Sequence, residues 1–219
     1  MIVLFVFASW SGGKDSALAL YYGMKKYGKV DCLFTMLDED CSSSRAHGFG
    51  KDILEKQALL IGTKLITRCS SWESYEENFL DFLSNHAKGG IGIFGDIDLQ
   101  EHLDWVKRVC SVHNVTVEEP LWKRKREVIL EEFSNLGFRA LIVSVKKNLG
   151  IDEILGNELT NRETHRILEK SGVDICGENG EYHTLVYDGP IFSSPLNFYV
   201  EGLYEDDNAK RLKVRAKQL

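Results

Sequence analysis

In the first half of the chain, continuous apolar runs alternate with segments in which apolar residues have helical spacing. Runs rich in β-branched and aromatic residues, which are typical of buried strands, lie at residues 2–8, 30–37, 64–67, 91–94 and 115–117. Between them, apolar residues recur every three or four positions, as they do on the buried face of a helix. Strands that alternate with helices favour a parallel sheet with right-handed crossovers. The first half is therefore predicted to be an α/β unit.

The pattern changes near residues 118–122, where the alternation of strands and helices stops. Further along, it predicts helices around a buried strand at residues 140–145, followed by strand-like segments at residues 184–187, 197–204 and 211–216. We predict two domains, residues 1–120 and residues 121–219, of which the second is a smaller α+β domain. The apolar edge of its last strands is compatible with a homodimer.

A glycine-rich polar loop joins the first strand to the first helix. Two glycines allow a sharp bend and a close approach of backbone amides to a ligand, and the free N–H groups of the helix N-terminus attract an anion. We interpret the loop as a phosphate-binding site made of Ser11, Gly12, Gly13, Lys14, Asp15 and Ser16. Asp15 is either a magnesium ligand or a helix cap. The loop does not match the Walker A pattern, and the alternative is a turn that only joins strand to helix.

Further candidate residues follow the second and fourth strands, because ligands bind beyond the carboxyl ends of parallel strands. Met36 and Leu37 are expected to flank an adenine, a role compatible with a place in the core. His47 is a candidate contact for phosphate or ribose, with a solvated loop histidine as the alternative. Gly95 precedes Asp96, which is expected to bind Mg²⁺, to steer an amine, or to cap the next helix.

Composition narrows the class of protein. The chain has 219 residues and a formal net charge of −6, so binding to bulk nucleic acid is not expected. No run of eighteen apolar residues predicts a membrane span, and the segment before the phosphate loop does not resemble a signal peptide. The five cysteines are scattered and lack C-x-x-C spacing, which argues against a disulfide framework and a zinc site. We expect a cytoplasmic protein with reduced thiols.

Several segments together resemble a known family. Residues 11–16 are similar to the SGGxDS "PP-loop" of the ATP pyrophosphatases. In order along the chain, the segments 10–16, 94–97, 120–122, 176–184 and 188–192 resemble the diphthine–ammonia ligase (diphthamide synthase) family. This family is a branch of the N-type ATP pyrophosphatases, within the adenine nucleotide alpha hydrolase-like superfamily. The segment C-G-E-N-G-E-Y-H-T is the most diagnostic, because general PP-loop enzymes lack it.

The resemblance implies a fold and a reaction. The fold would be a Rossmann-like (HUP-type), doubly wound parallel sheet of five strands with a C-terminal substrate domain. The reaction would use ATP and Mg²⁺ to adenylate a carboxylate, which ammonium-derived ammonia then attacks to release AMP. In the family, the carboxylate belongs to diphthine, a modified histidine of elongation factor 2. Residues 44–47 and 178–181 depart from the archaeal and eukaryotic pattern and resemble a bacterial-type branch that does not make diphthamide, so the acceptor carboxylate stays unidentified.

The diagnostic segment also supplies candidate catalytic residues. Glu178 and Glu181 are three apart in a glycine-rich turn, so their carboxylates converge if the turn is tight. Such a pair binds or deprotonates ammonium, or holds a metal; the alternative is a solvated turn. Thr184 is then a hydroxyl for substrate or phosphate, and Lys14 neutralises the departing pyrophosphate.

Two other functions fit parts of the sequence. A PP-loop tRNA-modifying enzyme would use a thiol such as Cys41 or Cys176 as nucleophile, but the acidic charge and the absent C-x-x-C count against it. We interpret these two cysteines as small structural residues instead. A non-catalytic sensor of adenine nucleotides is the other alternative, against which the two-glutamate turn argues.

Overall fold

A computed structural model describes residues 4–217 of the chain. Its first half is a parallel sheet with the strand order β3-β2-β1-β4-β5, which confirms the predicted Rossmann-like α/β fold. The strands are β1 (Val6–Ser9), β2 (Cys32–Leu37), β3 (Lys64–Cys69), β4 (Ile91–Ile93) and β5 (Thr116–Glu118). Ile2 and Val3, which the sequence pattern assigns to the first strand, lie outside the described residues.

Helices cover both faces of this sheet, as a doubly wound fold requires. The four helices are α1 (Lys14–Tyr27), α2 (Lys51–Ile61), α3 (Tyr75–Phe82), which continues through a π-helical turn at Leu83–Ala87, and α4 (Gln100–Val112). Buried residues of α1 and α2 belong to one apolar core, and those of α3 and α4 belong to a second core. Strand β1 lies in the middle of the sheet, so the loop after it opens at the centre of the carboxyl edge.

The second half contains an antiparallel sheet with the order β7-β6-β9-β8. Its elements are α5 (Arg126–Asn135), β6 (Arg139–Lys146), α6 (Arg162–Ser171), β7 (Tyr182–Asp188), β8 (Phe198–Glu205) and β9 (Ala209–Ala216). The core that α1 and α2 share continues into this half through residues such as Leu121, Phe133 and Leu185. The division between residues 120 and 121 therefore stays a prediction, because one apolar core extends across it.

Strand β7 supports the loop after β1 from behind. The backbone N–H of Val186 donates to the carbonyl oxygen of Gly12 at 2.9 Å. The buried side-chain amide of Gln57 donates to both of these residues, at 3.2 Å to the Gly12 oxygen and 2.7 Å to the Val186 oxygen. The first half and the second half of the chain thus meet at the loop itself.

The expectation that the cysteines are unpaired is wrong for two of them. Cys41 and Cys69 form a disulfide, with their Cα atoms 5.2 Å apart. The parallel register places Cys69 beside Leu37 at the ends of β3 and β2, and the turn after β2 returns Cys41 to that point. Their separation of 28 residues gives no sequence signal for this pairing. Cys41 therefore has no free thiol to act as a nucleophile.

Cys176 keeps a free thiol but is buried. Burial raises the pKa of this thiol to about 12, because the charged thiolate loses its water. This agrees with the interpretation of Cys176 as a small structural residue rather than a nucleophile. In the part of the chain that the structure describes, no helix has both the length and the apolar character that a membrane span needs.

Candidate active site

The loop after β1 is held in one conformation by its own side chains. The Ser11 hydroxyl accepts from the backbone N–H of Gly13 at 3.3 Å and lies 3.0 Å from the Ser16 hydroxyl. The Ser16 hydroxyl in turn donates to the Gly13 carbonyl oxygen at 3.0 Å. Gly12 has φ +81°, and a Cβ atom there would lie 2.8 Å from the Gln57 side-chain oxygen. The two serines and Gly12 thus hold the loop in a preformed conformation at the start of α1.

A cavity of about 280 Å³ opens between this loop and the ends of β2 and β4. It brings together most residues predicted for nucleotide binding. Of these, the lining includes Ser11, Asp15, Ser16, Met36, Gly95 and Asp96. Leu37 is absent from the lining and belongs to the apolar core, so of the two residues predicted to flank adenine only Met36 faces the cavity.

Aromatic side chains from α3 and α4 form the far wall of this cavity. Tyr75, Phe79 and Trp105 line it, and the Tyr75 and Trp105 rings are 5.7 Å apart. The indole N–H of Trp105 donates to Glu76 at 2.9 Å, which fixes the ring. A fixed aromatic wall suits the face of a planar base. Tyr75 and Phe79 have the spacing of one helix face, which does not distinguish a ligand wall from a core, and Trp105 carries no signal of its own.

Lys14 links the phosphate loop to the turn at Glu178 and, like Gly12 and Gly13, is absent from the lining of this cavity. It is only 4% exposed, and its Nζ atom lies 2.7 Å from Asp15 Oδ2 and 3.9 Å from Glu178 Oε1. Burial opposes the charge of Lys14, but Asp15, Tyr182, Cys176 and Glu178 together outweigh it and raise the pKa of Lys14 above its ordinary value. Lys14 is therefore protonated at neutral pH and presents a fixed positive charge beside the phosphate loop.

Glu178 differs sharply from Glu181, although both are predicted catalytic carboxylates. Burial raises the pKa of Glu178 to about 7, and the charge of Asp15 adds to this while Lys14 opposes it. Glu181 is 6% exposed and accepts hydrogen bonds from the Asp174 N–H at 3.2 Å and from Asn179 at 2.9 and 3.1 Å. Glu178 thus faces Lys14, whereas both oxygens of Glu181 are used within its own turn.

Thr184 connects the diagnostic segment to the phosphate loop. Lys14 is the first residue of α1, and its backbone N–H donates to the buried Thr184 hydroxyl at 3.1 Å. That N–H is one of the helix-terminal donors without a partner inside the helix. The arrangement fits a role in supporting the loop, while direct contact with a substrate stays a prediction.

Two partners of Asp96, His102 and Glu119, were missed by sequence reasoning, and of the two His102 lines the cavity. His102 Nδ1–H donates to Asp96 Oδ1 at 2.7 Å, and the Asp96 N–H donates to Glu119 Oε2 at 3.3 Å. The hydrogen bond to Asp96 raises the pKa of His102. Burial, together with the Asp96 charge, raises the pKa of Glu119 to about 8. These residues come from the β4–α4 loop, α4 and the end of β5, so only the fold brings them together.

His47 lies beside the phosphate loop but outside the lining of the first cavity. Its Nδ1 atom is 3.2 Å from the Ser11 carbonyl oxygen, and its ring centre is 4.6 Å from that of His183. Burial and the neighbouring His183 hold the pKa of His47 well below its ordinary value. Burial and the charge of Lys14 lower the pKa of His183 to about 4. Both rings are therefore neutral at pH 7.

Comparison with known proteins found two family models that match this chain. A family model described as the diphthamide synthase N-terminal domain matches residues 5–117, and one described as the diphthamide synthase C-terminal domain matches residues 125–212. Together they cover most of the described chain, including the phosphate loop and the Glu178 turn.

The curated relatives are named diphthine–ammonia ligases. A diphthine–ammonia ligase from Danio rerio is 35% identical over 94 residues, which are 42% of this chain and 37% of the relative. One from Schizosaccharomyces pombe is 24% identical over 94% of this chain and 38% of the relative. The matches thus span less than two fifths of each relative. A solved structure described as a "predicted subunit of tRNA methyltransferase" from Methanocaldococcus jannaschii matches 86% of this chain and all of its own length, with 14% identity and a TM-score of 0.44.

Proposed function

Because the chain belongs to the diphthamide synthase family, we propose that it is an ATP-dependent amide ligase that forms AMP and pyrophosphate. The observation that carries the proposal is the position of Lys14, buried between Asp15 and Glu178 where the phosphate loop meets the diagnostic turn. This position brings the Lys14 ammonium group, which suits phosphates, together with the Glu178 carboxyl group, which suits an amine. The relatives are named for ligation of ammonia to diphthine, whereas the acceptor of this chain is proposed only as a carboxylate.

The first step is transfer of adenylate to the acceptor. ATP is bound with its base against Met36 and the aromatic wall and its phosphates beside Ser11, Asp15 and Ser16, which line the same cavity at the start of α1. A carboxylate oxygen of the acceptor attacks the α-phosphorus, and the bond to the bridging oxygen breaks. Pyrophosphate leaves with that electron pair. The charge of Lys14 stabilises the negative charge that develops on the departing oxygen.

The second step forms the amide. Glu178, with a pKa of about 7, takes a proton from ammonium, and the resulting ammonia attacks the acyl carbon. The bond from that carbon to the AMP oxygen breaks, AMP leaves with the electron pair, and the attached nitrogen loses one further proton to water. Glu181 keeps the turn closed so that Glu178 stays near Lys14.

Mg²⁺ fits this site as a partner of the phosphates. The Oδ1 atom of Asp15 is buried and has no hydrogen-bond partner among residues 4–217, while its Oδ2 atom accepts from Lys14. Mg²⁺ is typically held by one or two carboxylates together with phosphate oxygens and waters. Asp15 and Asp96, which line the same cavity, would hold it there. When bound, the ion shields the charge of the phosphates.

Product analysis tests the proposed function directly. The protein is incubated with ATP, Mg²⁺ and ammonium, with diphthine-bearing elongation factor 2 as the first acceptor and a panel of small carboxylic acids as further acceptors. We expect AMP and pyrophosphate to form in equal amounts. The amide should form only when an acceptor and ammonium are both present. ADP as the product, or tight nucleotide binding without release of pyrophosphate from any acceptor, contradicts the proposal.

We also propose a homodimer that forms through the edge of β8. This strand pairs with β9 on one side and with no strand of the described chain on the other. Four of its apolar side chains are 44–64% exposed: Tyr199, Val200, Leu203 and Tyr204. An unpaired edge with exposed apolar side chains is a template for a second strand.

Changing Leu203 to glutamate is expected to convert the dimer to a monomer, because each copy places a charge in the apolar edge at a cost of about 2 kcal/mol or more. Light scattering coupled to size-exclusion chromatography measures the mass. Leu99→Glu is the matched control, since Leu99 is 57% exposed at the start of α4 and far from β8 in the chain. A monomeric mass for the unchanged protein would overturn the proposed dimer.

A further inference from the structure

A second cavity lies on the other side of the phosphate loop. It has a volume of about 330 Å³ and opens between the loop after β2 and Arg211, near the start of β9. Arg45 and Ala46 line both this cavity and the first one, so the two cavities adjoin at these residues. The proposed position of the nucleotide leaves the second cavity free, and no residue predicted for catalysis lines it.

Two neutral imidazoles form the inner end of this second cavity. The Nδ1–H of His47 donates to the Ser11 carbonyl oxygen, so its Nε2 atom carries the lone pair. That Nε2 atom lies 3.1 Å from the place where a Cβ atom on Gly13 would be. The ring of His183, on β7 directly before Thr184, meets the ring of His47 edge-on. The inner end of the cavity is therefore in contact with the phosphate loop.

Guanidinium groups form the outer part of the cavity. Arg211 on β9 pairs with Asp206 in the β8–β9 turn and lies close enough to His183 to lower the pKa of that ring. Arg45 stacks over Trp72 with its central carbon 4.3 Å from the ring centre, and its buried Nε atom has no hydrogen-bond partner among the described residues. The outer part thus has donors that a bound anion would satisfy.

Asp38, the carboxylate in the lining, is held by its own loop, while Asp206, outside the lining, pairs with the Nη1 atom of Arg211. Asp38 accepts hydrogen bonds from the backbone and hydroxyl groups of Ser42 and Ser43, at 2.5–3.4 Å. These bonds turn Asp38 toward its own loop and hold its pKa below the ordinary value. The remaining polar lining consists of hydrogen-bond donors and neutral imidazoles, which suits a ligand that carries an anionic acceptor group.

We propose that this second cavity binds the acceptor carboxylate, with Arg211 and His183 as the residues that recognise it. The inference rests on the proposed ligase function and names the acceptor site for it. A guanidinium matches a planar carboxylate with two parallel hydrogen bonds, and His47 and His183 connect that position to the phosphate loop. Arg45 and Ala46 border both cavities, so the acceptor cavity adjoins the nucleotide cavity at these residues.

A carboxylate-bearing alkylating probe tests the site without ATP or turnover. In bromoacetate, the lone pair of an imidazole nitrogen attacks the methylene carbon and bromide leaves with the bonding electrons; bromoacetamide reacts identically but carries no charge. We expect bromoacetate to modify His183 or His47 at least about tenfold faster than bromoacetamide does, since a charge-assisted hydrogen bond contributes roughly 1.5–3 kcal/mol. Peptide mapping by mass spectrometry measures each histidine, with the exposed His86 as internal reference.

Variants and competitors sharpen the test. Arg211→Gln should abolish the preference for bromoacetate, and Arg211→Lys should restore part of it, while Lys213→Gln, two residues along β9 and half exposed, should leave it unchanged. Acetate should protect the two histidines better than inorganic phosphate does. Equal rates for the two reagents, a preference that survives Arg211→Gln, or protection by phosphate but not by acetate would each overturn the acceptor site.

The failure of this site is distinguishable from failure of the ligase function. Labelling that prefers bromoacetate, without any release of pyrophosphate, contradicts the ligase alone. Release of pyrophosphate without preferential labelling contradicts the site alone. Once an acceptor is identified, Arg211→Gln should raise the KM for that acceptor about tenfold or more and leave the KM for ATP unchanged.

Discussion

Replacement of Lys14 by methionine is expected to lower release of pyrophosphate by about a hundredfold to a thousandfold. Methionine keeps the unbranched stem that fills the buried site but removes the charge beside Asp15 and Glu178. The charge is needed most when negative charge develops on the leaving oxygen, so kcat should fall much more than affinity for ATP. Steady-state pyrophosphate release and equilibrium binding of ATP give the two quantities.

Controls separate this effect from loss of folding. Lys26→Met makes the same change on the same helix at a side chain that is 57% exposed, and should leave both quantities unchanged. Removal of the Lys14 charge leaves the Asp15 carboxylate buried without its partner, so the variant is expected to melt at a lower temperature. Lys14→Arg retains the charge and tests whether the position of the ammonium matters. Release within about tenfold of the unchanged protein in a folded Lys14→Met variant would rule out the proposed role.

Replacement of Glu178 by glutamine is expected to separate the two steps of the reaction. Adenylation, followed as exchange of labelled pyrophosphate into ATP in the presence of an acceptor, should persist. Formation of the amide should fall by about a hundredfold to ten-thousandfold, because glutamine cannot accept a proton. The variant keeps the size and polarity of the side chain, so the turn at residues 174–181 should stay folded.

The pH dependence gives a second signature of Glu178. Its pKa is raised to about 7, so the fraction in the basic, proton-accepting form increases as pH rises through 7. With ammonium saturating, amide formation should increase through the same range, and this increase should be absent from Glu178→Gln. Glu181→Gln is the matched control: it should lower the melting temperature, because Glu181 organises the turn, and should keep the pH profile. An unchanged profile in Glu178→Gln would exclude it as the base.

Local sequence signals predict the sheet and the phosphate loop well. The strands at residues 32–37 and 64–69 differ from the predicted ones by only two residues at one end. They are predicted well because the spacing of apolar residues and the length of apolar runs are local properties of the sequence. Gly62, with φ +78°, ends α2, as is typical of a glycine after the last turn of a helix. The sequence signal of the loop at residues 11–16 is equally local, and its two serines and Gly13 are hydrogen-bonded to one another.

The parts of the site that sequence reasoning missed depend on contacts between distant residues. Asp96 meets Glu119 across the ends of β4 and β5, and His183 meets His47 across the two halves of the chain. The disulfide between Cys41 and Cys69 likewise depends on the register of β2 and β3. Trp105 has helical spacing that suits a core residue as well as a cavity wall, so its pattern alone does not separate the two.

The hydrogen bond from Val186 to Gly12 limits how this protein can be rearranged by recombination. Because β7 supplies the backing of the phosphate loop, the half that carries the loop does not contain all the residues that shape it. A hybrid that combined the first half of one relative with the second half of another would inherit a mismatched support behind its nucleotide site. New acceptor specificity is therefore more accessible through substitutions at the outer part of the second cavity than through exchange of whole halves.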